Sequence, residues 1–460
     1  MKTFVVDEPS VGALRALNYS PAVERIRRAG SNSARPLSSI VKEFGRAYGT
    51  VFTRRDCDSN HGVELITQGD MFAAEPTGRI IRLDSMHHPE RHIVTRGQVL
   101  ISGAGTLGEN ELFGRSILAD GRLVGKYVGP HAMALQFEAP DDDFSLFTYA
   151  WLACPTGIQA IRSTSYGTKI LGLRKDLLGS LPIPLAHSSV VGKIASLVRS
   201  CSEGRETFLR DIRRARTLVE QLPEMQQAHE MCGALRRHSI MWSGPFPSLV
   251  AWNFASSGGA LRHLRTKWKS TLGDLVEQGG IYNGPRFARV ECRPPFGVEF
   301  MSQRDAMLIR PAPRQIVHPG FDDRLLFARE GTILVGGHGT LGEGEVFGRA
   351  VLVHGRYSQA AFTQDLLRVV PKASKAHALY AYLTTTVGFR LLRTTAVGTK
   401  ILSLREDMLR ALPVPDWPTD VERDVSELVR SAFDARVKAE HAETEALRII
   451  EQEVVPQWLE

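Results

Sequence analysis

The sequence predicts an α+β fold built by tandem duplication: a β-rich globular domain followed by a long helix, stated twice, with the two helices pairing. Three observations predict it. Gly97–Arg115 reads GQVLISGAGTLGENELFGR and Gly331–Arg349 reads GTILVGGHGTLGEGEVFGR. Further on, YGTKILGLRKDLLGSLPIPL (Tyr166–Leu185) is restated as VGTKILSLREDMLRALPVPD (Val397–Asp416). After each of these second segments the apolar residues change to a helical period. A chain that duplicates a whole module implies a ligand with two similar parts.

The register runs through most of both halves. Leu37 and Ile40 match Leu272 and Leu275 at a shift of 235, as do Asn18-Tyr19 with Asn253-Phe254 and Arg54 with Arg289. The shift is 234 through the Gly-rich segment and 231 from Tyr149/Tyr380 onward, including Arg162/Arg393. Indels this small belong in surface loops. The expected domains are therefore 1–187 and 231–417, with long helices over 188–230 and 418–460.

Within the first globular part, GRIIRL (Gly78–Leu83) and QVLIS (Gln98–Ser102) are rich in β-branched residues and read as strands. FGRSILADGRLVGKYV (Phe113–Val128) reads as a hairpin turning at Asp120-Gly121. A short helix is expected at Phe144–Ala153 and again at Ala376–Thr386. Past Pro182/Pro184, Ile194, Leu197, Val198, Cys201, Phe208, Leu209, Ile212, Ala215 and Val219 recur at three- and four-residue steps. Past Pro413/Pro415, Val425, Leu428, Val429, Ala432, Leu447 and Ile450 do the same. Such helices of about 35–40 residues extend about 50–60 Å and need a partner for the apolar stripe. The expected partner is the helix of the other repeat; the alternative is that each stripe caps its own domain. Between Lys193 and Glu224 there are seven basic and five acidic residues, and between Asp420 and Glu453 five basic and ten acidic, so the net signs are opposite.

Composition bounds the rest. With 460 residues, 43% apolar and 23% charged, the chain is long enough for several cores and has an ordinary soluble balance. No run approaches the ~18–20 apolar residues of a membrane span. Asp7 and Glu8 directly follow the short apolar N-terminal run, a poor secretory signal. Five scattered cysteines without CxxC or zinc spacing point to a reduced, cytoplasmic setting. A net charge of +7 and a pI of about 9.2 permit nucleic acid as a partner without requiring it.

The motifs exclude more than they assign. Gly103–Gly108 and Gly337–Gly342 both satisfy GxGxxG, but a dinucleotide site requires a helix next, and Glu-x-Glu-x-Phe-Gly-Arg follows instead. They read as tight strand-connecting turns. Glu109 and Glu343 stand where a P-loop needs Lys. His87, His88 and His92 lack carboxylate or cysteine company at ligand spacing and read as solvated loop residues. No catalytic residue, cofactor or metal site is expected. The Gly-Thr-Lys-Ile-Leu segments are the more promising chemistry: Thr168-Lys169 and Thr399-Lys400 place backbone N–H, hydroxyl and ammonium together, suited to gripping a phosphate without reading sequence. Arg162, Arg174, Arg393 and Arg405 add cations nearby in both copies. The alternative is that Thr caps a turn and Lys is simply solvated.

Two β-rich modules, each ending in a Gly-Thr-Lys-Ile-Leu…Leu-Pro-x-Pro boundary and then a long helix, resemble the specificity (S) subunits of type I restriction-modification systems. RGQVLISGAGTLG, EGTILVGGHGTLG and the GTKILGLRKDLLGSLPIPL and GTKILSLREDMLRALPVP boundaries carry the resemblance, which extends over essentially the whole chain. It implies that each globular part is a target recognition domain entering the major groove of double-stranded DNA. It also implies that the long helices pair as an antiparallel coiled coil, serving as spacer and as docking surface for two methyltransferase (modification) subunits. Catalysis would belong to those subunits and to a restriction or translocase subunit. The stretch before Leu37, and its counterpart Met231–Lys269, are longer than the family pattern, which fits a variant from a related methylation-dependent phage-defence system.

Under that resemblance, base-reading residues should lie where the copies disagree. The candidates are Arg54, Arg55, Asp56, Asp58 and Asn60 against Arg289, Glu291 and Arg293, and the loop 85–92 against 314–318. Arg reads guanine and Asn adenine through bidentate bonds. A paired-helix spacer implies half-sites roughly one to one and a half DNA turns apart. The competing readings are a stand-alone metal-dependent nuclease using Glu109/Glu111 and Glu343/Glu345, and a protein-binding scaffold. If the framework segments are exchanged between copies while these loops are kept, the recognised sequence should stay the same, as sequencing of selected sites would show.

Overall fold

The structure is a computed structural model that describes residues 16–30, 33–45, 53–58, 60–86, 88–108, 111–232, 256–342 and 344–459. His87, Glu109, Glu343 and the match of Asn253-Phe254 to Asn18-Tyr19 thus involve positions outside the described residues. The chain forms two compact units, Met1–Glu206 with Lys438–Glu460, and Thr207–Val437. The division falls inside both long helices, Ser188–Glu220 and Thr419–Ile449.

In unit 1 the strands are β1 (Ala34–Pro36), β2 (Val41–Phe44), β3 (Val63–Ile66), β4 (Arg79–Ile81), β5 (Val99–Ser102), β6 (Ala104–Gly105), β7 (Ser116–Leu118), β8 (Tyr127–Val128), β9 (Ala132–Phe137), β10 (Ser165–Tyr166), β11 (Leu171–Leu173) and β12 (Pro182–Pro184). They make three small sheets, β2-β9-β5-β7, β4-β3-β8 and β10-β11-β6, and the pair β1-β12. Unit 2 repeats this with β13 (Val276–Asn283), β14 (Val298–Met301), β15 (Arg314–Ile316), β16 (Ile333–Gly336), β17 (His338–Gly339), β18 (Ala350–Leu352), β19 (Ala361–Phe362), β20 (Leu366–Pro371), β21 (Ala396–Gly398) and β22 (Leu402–Leu404). Its sheets are β13-β20-β16-β18, β15-β14-β19 and β17-β22-β21, strand for strand the same orders.

Two local expectations are corrected. The segment Phe113–Val128 is not a hairpin: β7 pairs with β5, whereas β8 joins another sheet, running parallel to β3. The turn at Asp120-Gly121 moves the chain between sheets, and Asp120 is buried there with its carboxylate held by Arg122. Unit 2 does the same, with β19 parallel to β14. His92 is also not solvated; it is buried, with Nδ1 3.2 Å from the Val128 carbonyl oxygen.

The helices are shorter than the expected 188–230, 418–460 and Ala376–Thr386. The first long helix ends at Glu220, and Pro223 starts a separate helix, Pro223–Met231. The second passes at Ile450–Val454 through a π-helical turn, and Ala376–Thr384 stops before Thr385, which caps the next helix. Asp142 caps the helix Asp143–Ala153, its carboxylate accepting from Ser145 N–H. Cys154 starts a second helix, Pro155–Ser163, and Ala376–Thr384 and Thr386–Arg393 are the counterparts. The first of each pair is buried all round because it lies between the main sheet and the long helices.

Each long helix lends apolar residues to both units. In unit 1, Ile194, Ala195 and Val198 of the first helix join Ala446, Ile449, Ile450, Val454, Val455 and Trp458 in one core. Trp458 meets Trp151 edge-on at 6.3 Å. Cys201 packs on Ala439 and Ala442, so early residues of one helix meet late residues of the other. In unit 2, Phe208 meets Phe433 edge-on at 5.4 Å and Asp211 accepts from Ser431, again antiparallel. The antiparallel helix pair expected from the resemblance is present in each unit.

At the same place in each repeat the helix carries a buried arginine. Arg205 donates to Glu443 at 2.6 Å, and the Tyr149 hydroxyl donates to the same carboxylate at 3.3 Å. Arg436 donates to the Leu308 carbonyl and the Tyr357 hydroxyl, with its guanidinium over the Tyr357 ring at 4.9 Å. Removing one partner of a buried pair strands the other charge, at about 3–5 kcal/mol, whereas replacing both with apolar residues costs far less. Glu443→Ala should therefore lower unfolding free energy by about that amount in denaturant titration. Arg205→Met combined with Glu443→Leu should recover most of the loss.

Candidate nucleic-acid interface

The duplicated FGR triplet and the Arg162/Arg393 pair belong together. Gly114 and Gly348 have φ of 79° and 78°, a region favouring glycine. A Cβ at Gly114 would also lie 2.8 Å from Arg162 Cγ, and one at Gly348 3.0 Å from Arg393 Cγ. Arg162 donates to the carbonyls of Phe113 and Glu111. Arg393 donates to those of Phe347, Leu341 and Gly342 and is only 6% exposed. These two arginines hold the Gly-rich turn. The expected phosphate contact is corrected for Arg393, whose guanidinium is buried among carbonyls, and Arg162 shares its framework role.

The Gly-Thr-Lys segments are the tips of β-hairpins. β10 and β11 pair antiparallel, as do β21 and β22, leaving Gly167–Ile170 and Gly398–Ile401 at the turns. Gly167 and Gly398, at φ of 93° and 107°, permit the tight reversal. Thr168, Lys169, Thr399 and Lys400 are all exposed. So are Ile170 and Ile401, at 67% and 66%, which sequence reading did not single out. Their signal was the identity of GTKIL in both copies. An exposed β-branched residue at a tip adds nothing to a core. Arg174 and Arg405 stand behind the hairpins, each gripping the carboxylate two residues on, Asp176 and Asp407. The Arg405 hydrogen bonds pull the Asp407 carboxyl down to about 2, and Arg174 lowers Asp176 in the same way.

The GxGxxG segments are not simple turns, because Ala104–Gly105 and His338–Gly339 are themselves strands that add the hairpin to the domain. Here the structure brings the two classes of sequence candidate together. In unit 2, Arg289 donates to Thr363 Oγ1 at 3.3 Å and stacks over Phe300 at 4.8 Å. Thr363 Oγ1 donates to Asp365, whose carbonyl accepts from Gly337 N–H, and His338 pairs with Ser403 at the hairpin. In unit 1, Arg54 lies beside Gly129, His131 accepts from Gly103 N–H, and Ala104 pairs with Gly172. Gln68 and Gln303 tie the end of the β3 or β14 segment to the same place, donating to the Ala104 and His338 carbonyls. Unit 2 thus joins Arg289 to its hairpin in a few bonds, whereas in unit 1 Arg54 lies near the corresponding strand end.

Other loop candidates divide. Arg55, Asn60 and Arg293 are exposed, and Asn60 N–H donates to Asp58. Asp56 and Glu291 pair with Arg79 and Arg314 in the same way in both copies, a shared framework instead of a point of difference. The unit 2 loop adds Phe296, 73% exposed, and a cleft of about 300 Å³ lined by Arg286, Phe287, Arg289 and Gln364 among others. Buried Arg368 shapes that cleft by donating to the carbonyls of Phe362, Thr363 and Leu366, while burial lowers its guanidinium to about 10. Among the described residues no cluster of three or more His, Cys, Asp or Glu could hold a metal, and no helix is long and apolar enough to cross a membrane.

No protein-family model and no curated protein matches the sequence. The chain aligns in structure with type I restriction-modification S subunits. The S subunit from M. genitalium matches 93% of this chain and 96% of its own, at 14% identity and a TM-score of 0.33. HsdS from Thermoanaerobacter tengcongensis matches 92% and 95%, at 14% identity and 0.26. A chain from a structure on complex assembly and conformational transition of the type I R-M system matches 93% and 98%, at 13% identity and 0.28.

The two kinds of residue should separate in stability measurements. Arg393→Ala removes the side-chain donor from the Phe347 and Leu341 carbonyls, while that of Gly342 keeps Glu345 N–H. At about 1–3 kcal/mol for each group left buried without a donor, it should markedly lower the denaturation midpoint. Lys400→Ala at the exposed tip should change stability by less than about 0.5 kcal/mol.

Proposed function

We propose that this chain is the non-catalytic DNA-recognition subunit of a restriction-modification or related phage-defence complex. It reads a two-part site on double-stranded DNA through two target recognition domains, residues 1–187 and 231–417. The helices 188–230 and 418–460 act as spacer and dock two methyltransferase subunits, with a restriction or translocase subunit as a further partner. The observation that carries this reading is the exposed Gly-Thr-Lys-Ile hairpin repeated in both units, joined in unit 2 to the loop arginine Arg289. A lysine and backbone N–H at a β-turn suit a phosphate, and arginine beside it suits a guanine edge. An exposed isoleucine beside a lysine suits apolar contact with a thymine methyl.

In this reading Thr168, Lys169, Thr399 and Lys400 hold the backbone, with Arg174 and Arg405 behind them. Arg54, Arg55, Asn60, Arg289 and Arg293 face bases. Opposite differences between the copies at these loops would give the two half-sites different sequences.

Two measurements test it. Methylome sequencing of cells co-expressing the chain with a partner methyltransferase should give a two-part motif with a fixed gap, lost when the chain is omitted. A contiguous motif, or one that persists without the chain, would exclude the proposal. Lys169→Ala with Lys400→Ala should lower the slope of log affinity against log salt by about 1–2 while leaving base preference intact. Arg293→Ala should instead relax one position of the motif, at about 1–3 kcal/mol of discrimination.

A further inference from the structure

Unit 2 has a second cationic feature that the DNA-recognition reading does not use. A cavity of about 500 Å³ opens between the first long helix and the helix Thr386–Arg393. Arg213 and Arg216 line it from the long helix, Arg349 from the FGR turn and Arg390 from the short helix, against one carboxylate, Glu220. Arg216 Nε donates to Thr384 Oγ1 at 3.0 Å, and Arg349 lies over the Phe389 ring at 4.5 Å. The short helix begins at the cavity, with Thr385 Oγ1 accepting from Gly388 N–H and Thr386 exposed beside it.

The same place in the first repeat is built differently. The counterparts of Arg213, Arg216 and Arg390 are Thr444, Leu447 and Gln159, and only Arg115 keeps the charge of Arg349. The counterpart of Glu220 is Glu451, whose carboxylate accepts from Thr156 N–H at 2.6 Å and from Thr156 Oγ1 at 3.0 Å. In unit 1 the start of the short helix is thus occupied by a carboxylate of the chain itself, showing that this position takes an anion. In unit 2 the lining among the described residues carries four guanidinium groups and one carboxylate.

We propose that this cavity in unit 2 binds a phosphate group. Guanidinium forks match the paired oxygens of phosphate, and a helix N-terminus adds N–H donors and a positive dipole end. The phosphate belongs either to a DNA backbone or to a free phosphorylated ligand; the site stands whether or not the chain reads DNA sequence.

The test uses the full chain and inorganic pyrophosphate, by calorimetry and by thermal unfolding against chloride at equal ionic strength. Pyrophosphate should bind and raise the melting temperature. Arg213→Gln with Arg390→Gln should abolish both effects. Glu220→Gln should tighten binding roughly three- to tenfold, because it removes a like charge from the cavity, a gain that misfolding cannot produce. Arg448→Gln, in unit 1 where Glu445 and Glu453 hold the side chain, should leave binding unchanged. If a short DNA duplex displaces pyrophosphate and the double variant weakens duplex binding, the phosphate is that of the DNA backbone. If pyrophosphate binds and duplex binding is untouched by the double variant, the ligand is a free phosphorylated molecule. No stabilisation beyond that of chloride, or a Glu220→Gln variant that binds no more tightly, overturns the proposal.

Discussion

Covering the apolar stripe of each long helix is the constraint on which the rest of this structure depends. A helix of 33 residues, about 50 Å long, cannot leave such a stripe in water. Neither compact unit supplies its cover from one stretch of chain. Unit 1 completes its core with the C-terminal residues Ala446–Trp458, and unit 2 sets Phe208 against Phe433 and Tyr380. The repeat is therefore a unit of sequence but not of folding. Each copy folds around helix from both.

Arginine does much of the remaining structural work. Arg205 ties the two long helices to each other, Arg436 ties its helix to Tyr357 of the globular part, Arg162 and Arg393 hold the Gly-rich turns, and Arg368 shapes the cleft loop. Each satisfies carbonyls or carboxylates that would otherwise be buried without partners, which is worth more than the charge itself. For this reason a shared arginine in a basic chain is a poor guide to its ligand. The exposed arginines of the loops, Arg55 and Arg293 among them, are the better guide.

The differences between the copies carry the functional information. The framework ion pairs Asp56–Arg79 and Glu291–Arg314 agree, as do the hairpin tips. The loops around Arg54 and Arg289 differ, and so do the residues around the start of the second short helix, where unit 1 closes the site with Glu451 and unit 2 surrounds it with arginine. A duplicated protein can keep one set of positions for folding and change the other without disturbing it, because the second set lies at loop tips and on exposed helix faces.

The duplication, the two long amphipathic helices, a short helix in each copy and the importance of the Gly-Thr-Lys segments were legible in the sequence, because they depend on repetition and on periodicity within a few residues. That those segments are hairpin tips was not legible. The hairpin expected at Asp120-Gly121 was not, since alternation identifies a strand but not its neighbour, and β8 finds its partner some sixty residues earlier at β3. The burial of His92 and Arg393 was equally invisible, because it depends on carbonyls that the fold brings from distant segments. Sequence alone determined the duplication, the long helices and the main strands and short helices of each copy. Only the tertiary structure decided which side chains those segments enclose and which remain for a partner, because burial and hydrogen-bond satisfaction are set by contacts across the fold and not along the chain.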